Sequence, residues 1–121
     1  MRFRSEQHLR HQYEIRAARE KGKRIDCGAY TIWWLLRDLP AGPGPRMAVA
    51  ASIAAVGPSV HRSRAKRRLR EIFRARQGLV PSNCDLLLVA RAAVNRWAFA
   101  ELDRKFVDAC ARITAAACPA R

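Results

Sequence analysis

Between His61 and Arg76 the chain carries eight arginines and lysines and one acid, Glu71, in sixteen residues. The same stretch holds Ala65, Leu69, Ile72 and Phe73 at the i, i+4, i+7, i+8 spacing of a buried helical stripe. Only a helix brings those four to one side, so the segment is predicted to be amphipathic and helical, with Ser59 as its cap. Its other side is then almost purely basic. At about 100° per residue, Lys66, Arg70, Arg74 and Arg67 form one continuous face, which Arg64 and Arg68 extend around the helix. Solvated helix faces mix both signs, and this one does not. Seven of the eight basic residues are arginine, whose planar fork suits bidentate contact with phosphate. A polyanion is the expected partner.

The rest of the composition narrows the partner. The helix supplies half of a net charge of +14, carried by 121 residues of which half are hydrophobic. That apolar content suits one folded domain spanning residues 1–121, with short loose ends at about 1–4 and 118–121, and excludes a disordered basic tail. Nucleic acid and an anionic membrane surface both satisfy the charge. No run approaches the roughly 18–20 apolar residues of a spanning helix. Met1 to Glu6 leads into charged residues without the apolar core of a secretory signal, so a cytoplasmic protein is expected. Cys27, Cys84, Cys110 and Cys118 show no CxxC spacing. Cys84 and Cys110 are expected as packed free thiols, and Cys118 as exposed. His8 and His11 stand three apart without a third ligand nearby, so no metal site is expected. No nucleophile triad, glycine-rich phosphate loop or paired-carboxylate motif is present.

The remaining elements follow from periodicity. Ser5 to Lys21 reads as a helix capped by Ser5, with Leu9, Tyr13 and Ala17 on its apolar side and Gly22 as a left-handed C-cap. From Arg24 to Leu36 the period shortens to that of a strand, with large apolar groups on both faces around Trp33. Leu39 to Pro45 is a proline-glycine loop, and Met47 to Ala55 a second strand. Cys84 to Ala90 is a continuous apolar run, as in an interior strand. A last helix from about Trp97 to Ala117 sets Phe99, Leu102, Phe106, Cys110 and Ile113 on one side, with Asn95 as its cap. A basic helix between two apolar strands is a βαβ crossover and implies a parallel pair.

Read in order, Val60-His61-Arg62-Ser63-Arg64-Ala65-Lys66-Arg67-Arg68-Leu69-Arg70-Glu71 resembles the signature helix of the protein subunit of bacterial ribonuclease P. That signature runs Arg-Asn-Arg-x-Lys-Arg-x-x-Arg-Glu, and Ser63 is the one departure from it. The resemblance extends to Glu14, Gly22 and Arg24 around the first helix, to Val56-Gly57 before the basic helix, and to Val89-Ala90-Arg91.

The resemblance implies an α+β sandwich, ribosomal protein S5 domain 2-like, with a mixed sheet of about four strands, three helices and a left-handed βαβ crossover. It implies binding to a large catalytic RNA and help in removing the 5′ leader of precursor tRNA. It further implies that the RNA and magnesium ions of the RNA-containing holoenzyme perform the hydrolysis, with no cofactor expected on the protein alone. By position, Arg62, Arg64, Lys66, Arg67 and Arg70 would contact that RNA, with Ser63 in the Asn position. Arg68 and Arg74 join them on charge. Ile15, Arg19, Trp33 and Arg91 would line the leader cleft, although Ile15 and Arg19 replace residues that are usually aromatic. Ile53-Ala54-Ala55 stands where two lysines are usual before the Val-Gly turn. A structural RNA binder of ribosomal type is the alternative. A DNA-binding protein or a metal-dependent nuclease acting alone fits less well, because helix-turn-helix pairing and clustered acids are missing.

Overall fold

The computed structural model of the chain describes residues 12–37 and 44–117. Its centre is the apolar run read as an interior strand. Strand β4 (Cys84–Ala90) lies between β2 (Tyr30–Leu36), antiparallel to it, and β3 (Arg46–Ala50), parallel to it. Strand β1 (Lys23–Asp26) pairs antiparallel with β2 and completes the order β1-β2-β4-β3. The parallel pair and the crossover between its strands are those expected from the basic helix.

Side chains alternate across a strand, so the register sorts the sheet into two faces. Ile25, Ile32, Trp34, Leu86, Leu88 and Met47 share one face. They join Ala65, Leu69, Ile72 and Phe73 of α3 (Ser59–Arg76) in the main core, with Leu102, Phe106, Ala109, Cys110 and Ile113 of α4 (Phe99–Ala117). Tyr30 crosses this layer and donates its hydroxyl to the carbonyl of Leu102 at 2.8 Å. Such a buried phenol needs a partner, and ionisation is pushed far upward by burial. Cys27, Cys84 and Cys110 are buried free thiols; Cys118 lies outside the described residues.

The opposite face carries Thr31, Trp33, Leu35, Asp85, Leu87, Val89, Arg46 and Ala48. Helix α1 (Gln12–Lys21) packs here, against β2 and β4. The chain is therefore a layered α+β fold with one four-stranded mixed sheet. Among the described residues no helix is long and apolar enough to cross a membrane.

Several local expectations are corrected. The extended stretch from Arg24 to Leu36 is a hairpin, turned at Gly28, whose φ of +82° only glycine adopts without strain. Asp26 accepts the Gly28 N–H at 2.8 Å and closes the turn. Gly22 is not left-handed; its N–H donates to Ala18 O at 3.0 Å. A Cβ there would lie 2.6 Å from the carbonyl oxygen of Trp34, so glycine lets α1 approach the sheet. Tyr13 is 69% exposed, and Ala18, not Tyr13, is the residue α1 buries. Ser5 and Leu9, and most of the Leu39–Pro45 loop, lie outside the described residues.

The second strand stops at Ala50, because Ser52 caps a single-turn helix α2 (Ile53–Val56) by accepting the Ala55 N–H at 3.1 Å. Pro58, not Ser59, occupies the cap position of α3 and offers no side-chain bond. Asn95 does not cap α4; it sits in a 3₁₀ turn (Ala92–Asn95) and donates to the His61 carbonyl at 2.9 Å. Phe99 lies outside the core and is exposed, with the Arg68 guanidinium 5.9 Å from its ring centroid.

Candidate nucleic-acid interface

Helix α3 lays its apolar stripe on the sheet, with Ala65, Leu69, Ile72 and Phe73 all at 0% exposure. The basic residues are thereby turned outward or to the helix flanks. Ser63, Arg64, Arg67 and Arg70 are exposed, and Arg62, Lys66, Arg68 and Arg74 are half-buried.

Their partners divide the helix. Arg74 pairs with Glu71 at 2.9 Å, which holds the glutamate below the usual carboxylate range. Arg76 sends two bonds, of 3.0 and 2.7 Å, to Asp103 of α4. Arg68 donates to the Trp97 carbonyl and lies 5.9 Å from the Phe99 ring centroid. Burial, then the nearby Arg64 charge, lowers its pKa. Among the described residues Arg62, Arg64, Lys66, Arg67 and Arg70 form no ion pair. Uncompensated positive charge is thus concentrated in the N-terminal two-thirds of α3. Val60, His61, Ser63, Arg64 and Arg67 line a concavity there of about 320 Å³. Two guanidinium groups, an imidazole and a hydroxyl converging on one hollow suit a phosphate oxygen.

A second surface lies on the other side of the sheet, under α1. Trp33 is half-buried on this face and takes no part in the main core cluster, so it is not a core tryptophan. Ile15 is half-buried and Arg19 exposed on α1. Arg91, just past β4, is exposed and pairs with Asp26 at 2.9 Å. The α3 residues and these four do not merge into one patch, because the sheet separates α3 from α1.

Register also reveals Arg24, exposed and directly opposite Trp33 on β1. The signal that places it beside Trp33 is the hairpin pairing, which no local spacing announces. The same face holds a charged network that no local motif announces. Asp85 is 5% exposed and accepts from Arg37 and, at 3.0 and 2.9 Å, from Arg46. Arg46 reaches on to Glu14 of α1 at 2.7 Å. The hydrogen bonds to Asp85 dominate in raising the Arg46 pKa, against desolvation. No group of three or more His, Cys, Asp or Glu among the described residues could hold a metal ion, and His8 and His11 lie outside them.

A family model described as Ribonuclease P matches residues 3–114. The ribonuclease P protein component of Acidothermus cellulolyticus is 31% identical over 106 residues, covering 88% of this chain and 87% of that protein. Its counterpart from Syntrophomonas wolfei is 32% identical over 99 residues, with 82% and 80% covered. In fold, the chain is similar to the ribonuclease P protein of Thermotoga maritima, with a TM-score of 0.75 at 21% identity over 88% of this chain and 96% of that one. The Staphylococcus aureus protein gives 0.72 at 15% identity over 89% and 94%.

Proposed function

The chain belongs to the bacterial ribonuclease P protein family, partners of ribonuclease P RNA in an endoribonuclease, and from that premise we propose how it divides its work between two surfaces. Helix α3 grips the catalytic RNA through Arg62, Ser63, Arg64, Lys66, Arg67 and Arg70, with Arg74 and Arg68 adding charge at the flanks. The cleft under α1, bordered by Ile15, Arg19, Trp33 and Arg91, holds the single-stranded 5′ leader of precursor tRNA. The half-exposed Trp33 ring offers a base a stacking surface, worth about 1–3 kcal/mol where such stacking forms. Arg19 adds charge where the family more often uses a ring, and Arg24 adds charge directly opposite Trp33.

The observation that carries this reading is the ordered run Arg62-Ser63-Arg64-x-Lys66-Arg67-x-x-Arg70 on the outward side of α3, with its five basic residues outside any ion pair among the described residues. Each phosphate they neutralise releases counterions, which favours binding without specifying bases. Ser63 offers a hydroxyl in place of an amide and so gives up one donor to RNA. Phosphodiester hydrolysis belongs to the RNA and its magnesium ions, in the cytoplasm, while the protein orients the two RNAs relative to each other.

The test is reconstitution. Purified chain, added to bacterial ribonuclease P RNA and precursor tRNA at low magnesium, is expected to raise the rate of leader removal. Absence of stimulation, with the chain folded and bound to RNA, would leave only a structural RNA binder.

A further inference from the structure

We infer that the Glu14–Arg46 ion pair is a clasp that holds α1 over the sheet and sets the leader cleft, making both positioning residues for leader recognition. The inference rests on the proposed assignment of that cleft to the 5′ leader.

Glu14 is an acid on the sheet side of α1, at the edge of a surface proposed to take a polyanion. Unpaired, it would repel RNA. Its carboxylate lies 2.7 Å from Arg46 Nη1, and its side chain is only 14% exposed. Arg46 is in turn fixed from behind. Its Nε and Nη2 both donate to Asp85 of the central strand, so the fork is oriented by the sheet and Nη1 is left for α1. Asp85 is itself held by Arg37, which also donates to Gly44 O at 2.7 Å and Ser82 O at 3.0 Å. Two arginines and two carboxylates balance, so α1 is clasped without adding net charge to the cleft.

Among the described residues, this is the ion pair that joins α1 to the sheet. Ala18 is the residue its described part buries fully, and Gly22 provides the close approach at the other end. Glu14 immediately precedes Ile15 and lies one turn and a residue before Arg19, the two α1 residues assigned to the cleft. Loss of the pair would let that edge of the helix shift relative to Trp33.

The measurement uses the reconstituted protein–RNA complex, with mature tRNA and precursors of increasing leader length. Glu14→Gln keeps the size and removes the charge. Arg46→Lys keeps the charge and removes the fork, so one ammonium cannot serve Asp85 and Glu14 as before. Both variants are expected to lower the precursor-to-mature affinity ratio roughly threefold to fivefold, the scale of a partly exposed ion pair. The gain from each added leader nucleotide should shrink as well. Thermal unfolding confirms that the Glu14→Gln protein is folded. Equal tightening of precursor and mature tRNA by Glu14→Gln would show that only charge had changed and would overturn the clasp. A wild-type preference for precursor retained by both variants overturns it too. A wild-type complex without any such preference removes the leader assignment, and the clasp with it.

Discussion

Arg67 and Arg68 are adjacent on α3 and serve different partners. Arg67 is exposed and lines the hollow with Ser63 and Arg64, whereas Arg68 donates to the Trp97 carbonyl and covers Phe99. Arg67→Ala and Arg70→Ala should each weaken binding to ribonuclease P RNA and flatten its salt dependence by about one unit per lost phosphate contact. Titrations at several salt concentrations check this, and an unchanged slope would mean these side chains do not touch phosphate. Arg68→Ala should instead lower folding stability by about 1–2 kcal/mol, the worth of a charge-assisted hydrogen bond and its packed stem, read by urea denaturation. Sequence placed both residues on the basic face, since spacing fixes direction around a helix. It could not tell them apart, because Trp97 and Phe99 come from about thirty residues downstream. Trp33 is a similar case: alternation put it on one face of a strand, and only the position of α1 shows that this is the face away from the main core.

At the scale of elements, α3 and α4 are joined by more than apolar packing. Arg76 makes two bonds to Asp103, which hold the Asp103 carboxyl below its ordinary value of 3.8. A carboxyl lowered on folding adds stability above its unfolded pKa, and that part is lost as pH falls through the folded value. Asp103→Asn is therefore expected to be less stable than the parent near neutrality by about 0.2–1 kcal/mol, since the pair is partly exposed. The difference should close as pH falls through the lowered Asp103 pKa, where the parent carboxyl is itself protonated. Denaturation midpoints across that range check the sign. The elements that sequence located best are α3, α4 and β4, long or strongly patterned segments whose burial agrees with their period. The ones it misplaced are short. Alanines from Ala48 to Ala55 carry no period of their own, so the end of β3 and the turn of α2 were decided by the Ser52 cap. The position of Gly22 after Lys21 predicts a left-handed cap, while the structure uses its missing Cβ against the Trp34 carbonyl.

For the whole molecule, the sheet is a partition between an apolar side that carries α3 and α4 and a side of mixed apolar and charged residues that carries α1. Cys27, Cys84 and Cys110 all lie within the apolar side, and burial pushes their thiols up to about 11, 12 and 12. Alkylation at neutral pH followed by mass spectrometry should leave these three unmodified until the chain is unfolded, and early labelling of any one would mean that the core opens locally. The amino-acid sequence by itself determined the basic, one-sided helix at 61–76, the apolar run of β4, the parallel crossover between β3 and β4, and the family. Each of these depends on residue types at fixed short spacing, which the chain carries wherever it folds. Tertiary structure alone decided which arginines remain outside ion pairs, that Trp33 faces away from the core, and that Glu14, Arg46 and Asp85 meet. Those outcomes depend on strand register and on which face of the sheet a helix covers, and both are set by contacts between residues far apart in the chain.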